Sequence, residues 1–131
     1  MPNILDAHFP PSVAVALSQR GIRCRLIGVD IGYQSMSDEE IIRNRHDVWK
    51  NSTFITLNYW HFFRRDLVHP RYCILNVEVR KVEVVPEVVQ RIYRHPEFKT
   101  LAKRRGKVIK CTAQNILYFD SLTGPAKQLG Y

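Results

Sequence analysis

Four residues in the first half of the chain are of types that do chemistry together: Asp6, Asp30, Asp38 and Asn58. Asp6, Asp30 and Asn58 each stand directly after a run that reads as a strand, "NIL", "RCRLIGV" and "TFITL". In open α/β sheets the carboxyl ends of the strands are where ligands and metals are held. Carboxylates gathered at one such edge repel each other, and a divalent cation between them makes the gathering tolerable. Mg2+ or Mn2+ fits such a site, needing one or two carboxylates beside a substrate's phosphates. An ion so held lowers the pKa of a bound water and neutralises charge building up on phosphorus, as in metal nucleases. Asp6, Asp30 and Asp38 are therefore the candidate metal ligands. Asn58 brings a carbonyl oxygen without charge, so an ion held partly by it should bind and activate water more weakly.

The elements that must position these residues follow from pattern. Asn3 to Leu5 is a short buried strand, and Pro10-Pro11 then opens a helix carrying Val13, Ala14 and Leu17 that Gly21 ends. Arg23 to Val29 is a second strand. Ser37-Asp38-Glu39-Glu40 is a capping box that starts a helix running to about Trp49. Capping alone would also account for Asp38, since first-turn acids complement the helix dipole. Thr53 to Leu57 is the third strand, Tyr59 to Arg65 a short helix, and Tyr72 to Val79 a fourth strand. Pro86 starts a helix that His95-Pro96 interrupts, which makes a helix pair ending near Arg105-Gly106. Lys107 to Thr112 and Ile116 to Asp120 read as an antiparallel hairpin. Residues 1–120 form one domain, and the tail from Ser121 to Tyr131 is expected to be loose. Strands alternating with helices in this order predict a three-layer α/β/α sandwich with a mostly parallel central sheet, and right-handed crossovers would set Asp6, Asp30 and Asn58 along one edge.

Composition narrows the class. The chain of 131 residues is 45% hydrophobic and 24% charged, as expected of a single folded domain with one core. Three separated cysteines, Cys24, Cys73 and Cys111, make neither a disulfide framework nor a zinc site. No signal-peptide pattern or membrane-length apolar run appears, and a cytoplasmic protein that does not enter the membrane is expected. The net charge of +8 is concentrated: eight basic residues stand between Arg91 and Lys110 against one acid, Glu97. Arg94, Lys99, Lys103, Arg104 and Arg105 are the candidate contacts to an RNA backbone, through the phosphate charge attraction that ignores base sequence. A solvated helix face or a partner's acidic surface would explain the same charges. Tyr59 and Trp60 are the candidates for stacking unpaired bases, set against ordinary core packing of the aromatic run. His61 and His69 form no paired metal-binding spacing and read as structural.

Four pieces in order, "ILDAHFPPSVAVAL", "VDIGYQSMSDEEII", "ITLNYWHFF" and "HPRYCIL", make the first two-thirds of the chain resemble the small PIN-like ribonucleases related to the toxins of bacterial toxin–antitoxin pairs. That family typically carries Leu-Leu-Asp-Glu before a proline-led helix, a Ser-Asp-Glu-Glu-Ile helix start, and Thr-x-Asp-x-Asp-Phe. The resemblance implies a PIN-like fold and metal-dependent endonucleolytic cleavage of single-stranded RNA, with Asp6 and Asp38 as metal-binding carboxylates and Asn58 at the catalytic position beside them. It also implies an antitoxin partner and a homodimer. The sequence departs from the pattern at Ala7, where the family often has glutamate, at Asn58, which replaces its third acid, and near Trp60, where a fourth would stand. Asp30 or Asp66 would have to compensate. The competing expectation is a catalytically weakened PIN-like module that binds RNA or a protein; a small-molecule or regulatory domain lacks the phosphate-loop signatures it would need.

Overall fold

β-branched and aromatic runs form strands where the pattern places them, in a computed structural model that describes residues 3–27 and 37–131. The chain opens with β1 (Asn3–Leu5), α1 (Pro11–Gln19) and β2 (Arg25–Leu26). Next come α2 (Asp38–Arg43), α3 (Arg45–Val48), β3 (Ser52–Thr56) and α4 (Tyr59–Phe62). The chain continues through β4 (Tyr72–Val77), α5 (Val85–Arg94), α6 (Leu101–Arg104), β5 (Val108–Cys111), β6 (Ile116–Phe119) and β7 (Lys127–Leu129). Asp30 and the far end of the second predicted strand lie outside the described residues.

Among the described residues seven strands make one sheet, in the order β2-β1-β3-β4-β5-β6-β7. The first five in that order are parallel, and β6 and β7 add on antiparallel. The chain is thus a mixed α/β fold with a mostly parallel sheet and the antiparallel hairpin expected at Lys107–Asp120. All residues of β3 and β4 are buried; β4 reads as a near-continuous apolar run, while β3 buries Ser52, Thr53 and Thr56 beside Phe54 and Ile55.

Alternation along the strands divides the core in two. Leu5, Ile55, Leu75 and Ile109 pack with Val13 and Leu17 of α1 and with Val88, Val89 and Ile92 of α5. On α5 the positions Val85, Val88, Val89 and Ile92 follow helical spacing, so one face buries against the sheet and the basic residues point away. Ile4, Phe54, Ile74 and Val108 pack with Ile41 of α2, Phe62 of α4 and Trp49. Trp49 stacks on Phe54 at 4.7 Å and meets Tyr72 edge-on at 5.1 Å, geometries favoured by the ring quadrupoles.

Three expectations need correction. The helix predicted from Asp38 to Trp49 breaks at Asn44, whose backbone caps α2 and opens α3. The tail is not loose: β7 pairs with β6, the Tyr131 hydroxyl donates to Thr112 O at 2.6 Å, and the Arg91 guanidinium lies 3.9 Å above the Tyr131 ring. Arg104 is not a surface cation. It is buried, donates from Nε to Thr53 Oγ1 and from Nη1 to Phe98 O at 3.0 Å each, and sits 3.9 Å over Tyr93. A buried charge persists only where such partners replace water.

Candidate metal centre

Asp6 is the fixed point. It follows β1 directly, and its backbone N–H still donates to Ile55 O of β3 at 3.0 Å, so the sheet sets its position. The side chain is only 2% exposed. Oδ1 accepts from Ala7 N at 2.8 Å and Oδ2 from Thr56 Oγ1 at 2.7 Å. Thr56 ends β3 and its hydroxyl also accepts from Asn58 N at 3.1 Å, so one hydroxyl ties together the carboxyl ends of the neighbouring strands β1 and β3. Burial pushes the Asp6 carboxyl above its ordinary value; the Thr56 hydrogen bond and His8 pull it down, the charge of Asp38 pushes it up, and the Ala7 amide lowers it again.

Asp38 comes from a different element. Ser37 caps α2, its hydroxyl accepting from Glu40 N at 3.2 Å, while Glu40 Oε1 lies 3.3 Å from the same hydroxyl. The cap sets the first turn of α2, and Asp38 is its first residue. Asp38 Oδ2 accepts from Asn58 Nδ2 at 3.3 Å and lies 3.1 Å from His61 Nδ1.

Asp6 and Asp38 are thus brought together, and His8 joins them. Ligand atoms of Asp6, His8 and Asp38 all lie within 4.8 Å of one another, so the three could hold one metal ion. Two carboxylates balance a doubly charged ion, and the imidazole adds a borderline nitrogen donor. His61 and Asn58 stand behind Asp38, as hydrogen-bond partners commonly stand behind metal-binding carboxylates.

The remaining candidates divide. Asn58 reaches the site, but its amide donates to Asp38, where a third acid would repel it. Tyr59 is half-buried and Trp60 is 64% exposed, their rings 5.3 Å apart at the start of α4 beside Asn58. Asp66 does not compensate for the missing acid: it is held by Arg64 at 2.6 and 3.0 Å, which also lowers its pKa. His69 stacks on Tyr72 and belongs to the aromatic cluster.

The basic run lies elsewhere. A right-handed crossover from β4 through α5 to parallel β5 returns the chain to the amino ends of the strands. Residues 94–107 are therefore at that end: Arg105 Nη1 donates to Asn51 Oδ1 at 3.4 Å and Gly106 N to Tyr72 O at 2.9 Å. Asn51 precedes β3 and Asn58 follows it, which separates the basic turn from the acids by roughly 20 Å of strand. Arg94, Lys99, Lys103 and Arg105 are exposed there. Lys103 Nζ already donates to Pro96 O at 2.9 Å, holding the turn. The expectation that these helices grip a strand beside the acids does not fit the topology.

His8 and His61 are the residues that spacing missed. His8 stands two places past Asp6 in "LDAH", on the turn that leaves the strand, and that position was the available signal. His61 lacked one, since its partner Asp38 is far away in sequence. No known protein family, curated protein or solved structure matches the chain.

Proposed function

We propose that the protein is a divalent-metal-dependent endoribonuclease of the PIN-like type, acting on single-stranded RNA. The single observation that carries this reading is the convergence of Asp6, His8 and Asp38 from two separate segments on one small volume at the carboxyl edge of a parallel sheet. A divalent ion bound there, Mn2+ or Mg2+, would supply an acidified water and charge neutralisation at the scissile phosphate. The protein's own residues hold and orient. Thr56 fixes the Asp6 carboxylate, and Asn58 and His61 fix that of Asp38. Rigid placement of this kind is what catalysis by proximity requires.

The test is cleavage of a single-stranded RNA with the metal varied, with Asp6→Asn as control. Cleavage that needs Mn2+ or Mg2+ and falls at least about a hundredfold in the variant is expected. Cleavage unaffected by Asp6→Asn would rule the assignment out. A second reading, a PIN-like binding module that no longer cuts, is favoured by one observation: Asn58 spends its amide on Asp38 and leaves two carboxylates. It requires RNA binding without metal-dependent cleavage.

A further inference from the structure

If residues 94–105 stand at the wrong end of the sheet, a polyanion entering the Asp6–Asp38 site must be held by something else. The carboxyl edge supplies it. Register pairs Thr56 of β3 with Asn76 of β4 and Asn76 with Lys110 of β5, so Lys110 lies three strands along from Asp6, roughly 14 Å at ordinary strand spacing. Its Nζ lies 5.0 Å over the Tyr59 ring and 5.5 Å over Phe63, and 3.6 Å from Glu78 Oε2. Beyond Glu78, Arg80 and Lys81 line a groove of about 460 Å³ with Val79, Ala113 and Gln114. Both cations are exposed, and among the described residues no ion pair or hydrogen bond engages their side chains.

Resting on the nuclease reading above, we propose that this edge is the substrate path: a single nucleic-acid strand runs from the acid site past Trp60 and Tyr59 to Lys110 and into the Arg80–Lys81 groove. The aromatics at its near end favour a nucleic acid over an acidic peptide, because bases stack on rings and carboxylates do not. Glu78 now neutralises Lys110, and a phosphate takes its place when the strand binds. The basic turn at the amino ends is then not part of the path.

The experiment is fluorescence anisotropy of a labelled oligouridylate with the full chain in EDTA, where neither binding nor signal depends on metal. Two double variants remove the same charge from opposite ends: Arg80→Ala with Lys81→Ala, and Lys99→Ala with Arg105→Ala. All four side chains are exposed, so both variants should fold, which circular dichroism confirms. The first is expected to weaken binding about tenfold and reduce the slope of log K against log salt by about 1.4, and the second to change affinity less than about twofold. Trp60→Ala should weaken binding at unchanged salt slope, and Glu78→Gln should strengthen it. An equal or larger loss in the amino-end variant, no binding by the parent chain, or equal competition by polyglutamate of the same charge would overturn the proposal. A parallel Mn2+ titration reports on the acid site alone, so the path and the metal reading fail separately.

Discussion

The Asp6 carboxyl shows what a single residue costs and gives. Burial raises its pKa above the ordinary 3.8, so the folded chain holds this proton more tightly than the unfolded chain does. The stability this contributes is complete below pH 3.8 and is lost as pH rises through the folded-state value. Above that value the carboxylate is a buried charge that destabilises the fold. Asp6→Asn is expected to raise the melting temperature of the metal-free protein by about 3 °C at pH 7, with a smaller gain near pH 4, by differential scanning calorimetry. Mn2+ at about a hundred times its dissociation constant should stabilise the parent by about 2.7 kcal/mol and leave the variant unmoved. His8 bears on which ion binds. Imidazole suits transition ions better than Mg2+, which prefers oxygen. His8→Ala should weaken Mn2+ binding about tenfold and Mg2+ binding much less, read by titration calorimetry; unchanged Mn2+ affinity would show that the imidazole is not a ligand.

Elements explain why some of this was legible and some was not. β3, β4 and α5 were legible in the sequence, because β3 and β4 are buried throughout and α5 buries one face with helical spacing. Asp6, Asn58 and Asp38 come together from positions the pattern marks, two after strands and one after a serine cap, while Asp30, expected with them, lies outside the described residues. What failed depended on partners distant in sequence. Lys127-Gln128-Leu129 has no alternation of its own, and it becomes a strand only because β6 offers an open edge. Arg104 reads as surface charge until Thr53 and Tyr93 surround it. Arg104→Ala is accordingly expected to cost about 3 kcal/mol in urea unfolding, leaving the Thr53 hydroxyl and Phe98 carbonyl without their donor. Deleting residues 127–131 should cost about 2 kcal/mol, since it removes a ladder and uncovers Leu129 contacts and the Tyr131 hydrogen bond. A deletion without effect on the transition would mean that β7 adds nothing to the fold.

At the scale of the whole molecule the acid cluster and the run of basic residues stand at opposite ends of the sheet. The carboxyl ends gather Asp6, His8, Asp38, Asn58 and His61; the amino ends carry Arg94, Lys99, Lys103 and Arg105. Parallel topology produces this separation, because each crossover carries the chain from the carboxyl end of one strand back to the amino end of the next, and residues 94–107 lie where that return is completed. A count of charge along the sequence cannot see it, and for that reason the basic run looked like the companion of the acids. Among the described residues no helix is long and apolar enough to cross a membrane. The claim on which the functional account rests is that Asp6, His8 and Asp38 share one cation. Diffraction at the manganese edge, on crystals grown with MnCl2, tests it most directly. An anomalous peak within about 2.5 Å of oxygens from both aspartates and of a His8 ring nitrogen is the expected result. A map with manganese bound only elsewhere, or with none at this edge at saturating metal, would contradict the account.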